Sequence, residues 1–321
     1  MSNGRLLEEI LLSGINGKHT LIVIGKGGVG KTTFSILAGI TYSKKGKTLI
    51  ASLDPAKHLL GYLNLEKPLK ISEIMDNLYA VQYDIGPLAK KLSDEYSIIL
   101  KQVMPGLTIV NLDDVVKAIR HAPGFEEEIF LRILEELYRS DYDYVVIDTP
   151  PTGITHRILN LPNLHMFWIE KLYELRARII SLRYAMARAL GKDYKPHDPV
   201  LRKLEELHEK YKGMWNDLRD PKKTSVAIVA TPEPLPIYEA KSTLDLLNKL
   251  GIACRLLVIN RILPKEASKL GLLDIQEKSI KEAKEIVDKQ CEIIGIMHHK
   301  KPPKSLVEVL ELVDLIVPLL H

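Results

Sequence analysis

The sequence predicts an α/β fold on a doubly wound, mainly parallel sheet, and three observations carry that prediction. Five short runs rich in β-branched residues read as strands buried on both faces: Leu21–Ile24, Thr48–Leu53, Tyr144–Ile147, Val226–Ala230 and Leu256–Ile259. Helical periodicities fall between them, as right-handed crossovers require. Each run ends in polar or turn-forming residues: a glycine-rich loop, Asp54-Pro55, Asp148-Thr149-Pro150, Thr231-Pro232-Glu233 and Asn260-Arg261. Ligands of such sheets bind beyond the carboxyl ends of the strands, so these endings mark one candidate site.

The first strand leads into Gly25-Lys26-Gly27-Gly28-Val29-Gly30-Lys31-Thr32-Thr33, which fits the phosphate-loop pattern of a glycine, four residues and Gly-Lys-Thr. Phe34, Ile36, Leu37 and Ile40 then suit a helix. That strand–loop–helix context separates a phosphate cradle from a glycine-rich coincidence. Glycines let consecutive backbone N–H groups of Gly27, Gly28, Val29 and Gly30 turn toward one anion, and the following helix N-terminus, with Thr33, adds partial positive charge. Lys31 is placed to reach the β- and γ-phosphates, and the Thr32 hydroxyl to coordinate Mg²⁺. The chain is expected to bind a nucleotide on a P-loop NTPase fold.

The second strand ends at Asp54. A carboxylate there suits phosphoryl transfer, which depends on positioning and charge; a helix N-cap after a strand is the plainer reading. The third run, Tyr144-Val-Val-Ile, delivers Asp148, a carboxylate able to hold Mg²⁺ through its water shell. Gly153, behind Pro150-Pro151, gives the next loop room to move, against the alternative of a rigid proline turn. Asn260 closes the fifth run, where a strand-end turn alone would account for it.

Two mainly helical stretches, about 85–121 and 162–223, interrupt the sheet. They are expected to meet as a helical subdomain over the nucleotide edge of a single domain spanning 1–321. In the second, Leu164, Phe167, Trp168, Leu172, Leu175, Ile179 and Leu182 recur at helical spacing, and Met166, Ile169, Tyr173 and Met186 broaden that face. From spacing alone, a helix buried on the core accounts for them. Pro196-His-Asp-Pro199 and Asp220-Pro221 read as turns, and Ser305–Leu320 as an amphipathic terminal helix.

Composition sets outer bounds. With 321 residues, 46% hydrophobic and 27% charged, the chain has enough apolar material for a sizeable core. A net charge of +4 is too mild to argue for nucleic acid, and none is expected as a partner. No run approaches the roughly 20 apolar residues that cross a bilayer, and Glu8 and Glu9 interrupt the N-terminal apolar stretch, unlike a signal peptide. Cys254 and Cys291 are far apart in sequence, so no disulfide framework is expected and a cytoplasmic setting is. Cys291 reads as a small buried apolar residue, and His298-His299 as solvated loop residues, leaving no metal beyond Mg²⁺.

The full motif Lys-Gly-Gly-Val-Gly-Lys-Thr-Thr resembles the deviant Walker A sequence of the MinD/ParA, arsenite-pump and nitrogenase-iron-protein superfamily. Asp148-Thr-Pro-Pro-Thr-Gly-Ile-Thr-His-Arg-Ile-Leu-Asn-Leu-Pro162 narrows this, being similar to switch II of the arsenite-pump and tail-anchored-protein-targeting ATPases. Leu53-Asp54-Pro55-Ala56 is similar to their switch I, and Asn77–Asp84, Pro123-Gly-Phe-Glu-Glu127, Thr231-Pro-Glu-Pro-Leu235 and Val258-Ile-Asn-Arg261 match further segments, from about residue 20 to 262. The resemblance implies a homodimeric, Mg²⁺-dependent ATPase. Lys26 would cross to the other subunit's ATP, Asp54 would polarise the attacking water, and Asn260 would contact adenine. It further implies capture and delivery of a client's hydrophobic transmembrane helix, with a possible membrane receptor.

Three features depart from the pattern. Lys57-His58 stands where relatives carry His then Asn or Ser, and His298-His299-Lys300-Lys301-Pro302-Pro303 replaces an acidic-Arg-Gly segment. The Cys-x-x-Cys pair that joins many targeting ATPases through zinc is absent. The alternatives carried forward are the soluble motor of an anion or metalloid transporter and a MinD/ParA-like positioning or regulatory nucleotide switch.

Overall fold

A computed structural model describes residues 3–103, 124–191, 198–264, 273–287, 290–299 and 301–319. The expected helical material at 104–121, Pro123, the turn residues Pro196 and His197, and Lys300 lie outside these.

The first half runs α1 (Asn3–Leu12), β1 (His19–Gly25), α2 (Lys31–Ser43), β2 (Thr48–Ser52), α3 (His58–Leu63), β3 (Ser72–Met75), β4 (Leu78–Gln82), α4 (Ile85–Val103), α5 (Phe125–Arg139) and β5 (Tyr144–Asp148). The second half runs α6 (Thr152–Ala189), α7 (Pro199–Arg219), β6 (Thr224–Ala230), α8 (Pro234–Leu250), β7 (Cys254–Ile262), α9 (Leu273–Val287), β8 (Glu292–Met297), α10 (Leu306–Glu311) and β9 (Ile316–Pro318). One sheet of order β3-β4-β2-β5-β1-β6-β7-β8-β9 holds every strand among the described residues. It is parallel from β4 to β8 and antiparallel only at its two edge pairs. β1 lies centrally, buried along its whole length between β5 and β6, so its carboxyl end opens at the middle of the sheet.

Each face of the sheet carries its own apolar layer. Leu21, Val23 and Val146 face α2, while Ile22, Ile24 and Ile147 face α5, α6 and α8 with Phe130, Leu159 and Ile237. That alternation is the period-2 geometry of strands buried on both sides. α2 is buried all round because α1 and α10 cover its outer side, with Leu7, Leu11 and Val309 reaching it. Such a helix shows little amphipathic pattern in sequence.

Four of the five expected runs lie within observed strands, Thr48–Leu53 runs one residue past the end of β2, and β4 falls inside the Asn77–Asp84 match. The C-terminus corrects an expectation. Ser305 caps a helix of only six residues, a 3-10 turn follows over Leu312–Leu315, and Ile316–Pro318 then pairs antiparallel with β8. Ile316 and Val317 favour strand, and Pro318 has no N–H with which to continue a helix. The cysteines also correct one. The Cys254 thiol meets Cys291 across the β7–β8 pair, and neither is fully buried. A register irregularity in β7, between the residues opposite Val226 and Ala227, begins at Cys254. The shared hydrogen bond, then burial, holds the Cys254 thiol above its ordinary range.

α6 runs unbroken for 38 residues through Pro162, and packs along α7. Asp198 caps α7 by accepting from the Val200 and Leu201 N–H groups, and Arg176 of α6 pairs with the same carboxylate at 2.8 Å. Among the described residues, no helix is long and apolar enough to cross a membrane.

At the far end of the sheet His19 is 1% exposed, with Nδ1 2.9 Å from the Lys222 carbonyl and Nε2 2.8 Å from Ser225 Oγ. Burial, with the nearby Arg255 charge, lowers its pKa to about 4. A depressed folded pKa means stability is held above the unfolded value of about 6.5 and lost as pH falls toward 4. The shift corresponds to a loss on the order of 3 kcal/mol. Urea midpoints between pH 7 and 4.5 are therefore expected to fall more steeply in the wild type than in His19→Gln. Equal slopes would remove His19 from the acid response.

Candidate nucleotide site

The phosphate loop joins β1 to α2 at the open centre of the sheet. Gly28 and Gly30 hold φ of 81° and 104°, a left-handed backbone that side chains resist. A Cβ on Gly30 would also collide with the Asn260 amide. Asn260 is the reason for the close approach: its Nδ2 donates to the Val29 carbonyl at 2.7 Å, and its Oδ1 accepts the Arg261 N–H at 2.9 Å. In the structure Asn260 fastens the loop to the end of β7.

Behind the loop, Thr32 Oγ1 donates to Asp148 Oδ2 at 2.8 Å and Ser52 Oγ donates to the same oxygen at 3.0 Å. Asp148 is fully buried, and its Oδ1 has no hydrogen-bond partner among the described residues. Burial raises its carboxyl to about 6, against the opposing pull of the Thr32 hydrogen bond and the Lys31 charge. A buried carboxylate with one oxygen unpaired among the described residues, next to a hydroxyl and a lysine, would suit a divalent cation beside a bound phosphate.

Lys31 is 4% exposed, its Nζ 3.3 Å from the Lys26 carbonyl. Gly28, Gly30, Lys31, Thr32, Thr33, Asp54 and Asn260 line a cavity of about 380 Å³. Its far wall includes His298, His299 and Lys301, so the departing C-terminal segment does reach the pocket. Gly27, Val29 and Gly153 are not in the lining; Gly153 sits in the first turn of α6.

Asp54 lines the cavity, with Oδ1 accepting the Ala56 N–H at 2.9 Å. Gln82, buried in β4, donates to the Asp54 carbonyl at 3.0 Å and the Ser52 carbonyl at 3.3 Å, fixing this turn from beneath. Lys57 follows in a left-handed conformation, and its Nζ is 2.6 Å from Asp84 Oδ2. That ion pair holds the Asp84 carboxyl below its usual range, and Asp84 also accepts from Gly86 at the start of α4.

Lys26 is turned away from the cavity lining: its Nζ lies 3.7 Å from Glu239 Oε1 on α8. Ser52, Gln82 and Glu239 were not candidates from sequence. A polar residue ending an apolar strand flags Ser52 and Gln82, whereas Glu239 lies mid-helix with nothing local to mark it.

A phosphate loop whose threonine is bonded to a buried carboxylate, at the carboxyl edge of a parallel sheet, defines the class: a P-loop nucleotide-binding protein. The family described as Anion-transporting ATPase matches residues 18–301. The chain belongs to that family, and it is an ATPase. It is similar to a protein of Aquifex aeolicus (strain VF5) provisionally named arsenical pump-driving ATPase 2, with 31% identity over 83% of this chain and 84% of the relative. The ATPase ASNA1 homolog 2 of Paramecium tetraurelia is 30% identical over 76% of this chain and 75% of its own length. ATPase GET3A of Arabidopsis thaliana is 32% identical over 80% and 71% respectively.

Proposed function

We propose that the chain is a cytoplasmic, Mg²⁺-dependent ATPase whose homodimer captures a hydrophobic helix and releases it in an ATP-controlled cycle. Thr32 and Asp148 would hold Mg²⁺, which would shield the charge between the β- and γ-phosphates. Lys31 and the backbone of Gly27–Gly30 would grip the phosphates, and Lys26 would act across the dimer. The helices of the two insertions would form the subdomain that receives the client.

One observation carries the reading. α6 leaves Leu164, Phe167, Trp168, Leu172, Leu175 and Leu182 exposed, with Trp168 at 58% and Leu182 at 66%. Ile169 turns inward at 7% exposure and Met166 packs on the core, so the helix already has a buried face and carries a second apolar one. A helix anchored on one side does not need that second stripe for its own folding, and a contiguous apolar surface of this kind marks an interaction site. The likeness to the ASNA1 homolog and to GET3A supports the reading that the switch II resemblance suggested.

The expected result with Leu172→Asp combined with Leu175→Asp is a loss of about ten-fold or more in capture of a hydrophobic tail peptide, since two apolar contacts become buried charges. ATP binding should persist, because both positions lie outside the nucleotide cavity. If the MgATP-loaded wild type fails to protect such a peptide from aggregation, the reading falls. The Aquifex relative's name favours a second reading, a transporter motor, for which arsenite should stimulate hydrolysis. Soft-metalloid recognition by thiols would then rest on Cys254 and Cys291 alone.

A further inference from the structure

Glu239 joins two parts of the molecule that the proposed cycle must coordinate. It lies in the second turn of α8, with Oε1 3.7 Å from Lys26 Nζ of the phosphate loop. Its other oxygen, Oε2, accepts a hydrogen bond from Thr152 Oγ1 at 3.0 Å, and Thr152 is the first residue of α6. One turn further on, Thr243 Oγ1 donates to the Glu239 carbonyl at 2.8 Å and stands 3.0 Å from His156 Nε2, a second link between α8 and α6. The phosphate loop, α8 and the start of the helix with the exposed apolar face thus form one connected polar chain. Neither the motif nor the family description gives Glu239 a role.

We propose that Glu239 is a positioning residue that restrains Lys26 within its own subunit and transmits the departure of Lys26 to α6 through Thr152. The inference rests on the reading that Lys26 acts across a dimer. An ammonium cannot serve a neighbouring nucleotide and remain 3.7 Å from Glu239 in its own chain. When Lys26 leaves, the carboxylate loses its cation and keeps Thr152 as its polar partner. The hydrogen bond to Thr152 is then strengthened, because the oxygens no longer divide their charge between two groups. The start of α6 is thereby drawn to α8 in the closed dimer and held less firmly in the separate subunit. Both side chains are about one-third exposed, so the restraint is modest, as suits a contact that must break in every cycle.

Glu239→Gln keeps an acceptor for Thr152 and removes the charge that attracts Lys26. The MgATP concentration for half-maximal dimerisation, read by analytical ultracentrifugation, is expected to fall roughly two- to five-fold, the range of a partly exposed ion pair. Thr152→Val breaks only the second link. It should raise that midpoint slightly, because the bond it removes is stronger in the closed dimer, and lower peptide capture by the saturated dimer. On a Lys26→Gln background, adding Glu239→Gln should not alter ATP affinity, because the lysine it restrains is gone. A Glu239→Gln midpoint equal to the wild type's would overturn the proposal. So would an equal gain in ATP affinity with and without Lys26, which would mean a general charge effect on the nucleotide. If the wild type does not dimerise on MgATP at all, the reading beneath the proposal fails first, and the two failures are told apart by that control.

Discussion

Lys31→Ala is expected to abolish ATP hydrolysis and to weaken MgATP binding, the largest effect of any single substitution in this chain. Lys31 is 4% exposed, and its ammonium sits beside the Lys26 carbonyl of the phosphate loop at 3.3 Å. Losing one preorganised positive group from a phosphoryl-transfer site costs on the order of 10²–10³ in turnover. A second consequence follows from Asp148, whose carboxyl is held down by the Lys31 charge against the stronger effect of burial. Without Lys31 that carboxyl rises further, and a protonated Asp148 is a poorer partner for Mg²⁺. The loss of MgATP affinity should therefore exceed the loss of Mg²⁺-free ATP affinity. Phosphate release and nucleotide titration with and without Mg²⁺ measure both quantities, and near-normal turnover would sink the phosphate-loop assignment. Thermal melting of the variant separates this from misfolding, since among the described residues the Lys31 ammonium bonds to a local carbonyl.

The parts of this site that were legible in the sequence are those whose partners lie close along the chain. The phosphate loop states its geometry within nine residues, since its glycines and its Lys31-Thr32 pair are consecutive. Asp148 was legible because an apolar strand ending in a carboxylate is itself a local pattern. What holds these groups was not. Ser52 reaches Asp148 across 96 residues, Gln82 reaches Asp54 across 28, and Thr152 reaches Glu239 across 87. Each contact depends on which strands become neighbours, and β2 is placed beside both β4 and β5 by sheet order, which local patterns do not encode. Asn260 shows the same limit from the other side. Its position at a strand end was plain, yet its engagement with the Val29 carbonyl follows from the β6–β7 pairing that brings β7 beside the loop. The edges of the sheet were hidden for a different reason. β8 contains Gly295, a weak strand residue alone, but a Cβ there would crowd Ile262 and Val317 on both neighbouring strands. The two exposed and buried faces of α6 likewise share one helical period, so spacing identified the apolar residues without showing which of them turn outward.

Asp54→Asn is expected to leave ATP affinity close to that of the wild type while slowing hydrolysis by roughly 10²-fold or more, the scale of a lost acid–base or water-orienting group. The structure makes this a sharp test because Asp54 already has a structural duty. Its Oδ1 accepts the Ala56 N–H at 2.9 Å, and its carbonyl is held by Gln82 at 3.0 Å. Asparagine keeps an oxygen for Ala56 and leaves the Gln82 contact untouched, so the turn should survive. What it cannot keep is a second anionic oxygen in the cavity lining, where a water approaching the γ-phosphate would be oriented. The cost should therefore appear in kcat with KM for ATP nearly constant, and the MgATP-bound dimer should persist longer because its exit by hydrolysis is slowed. Asp54→Ala removes the oxygen that Ala56 uses as well, and should add a fall in thermal stability that Asp54→Asn does not show. Were Asp54 only the cap of this turn, the order would reverse: Asp54→Asn would turn over normally, and only Asp54→Ala would be impaired. Single-turnover hydrolysis set beside melting temperatures for the two variants decides between a group that orients water and one that merely ends a strand.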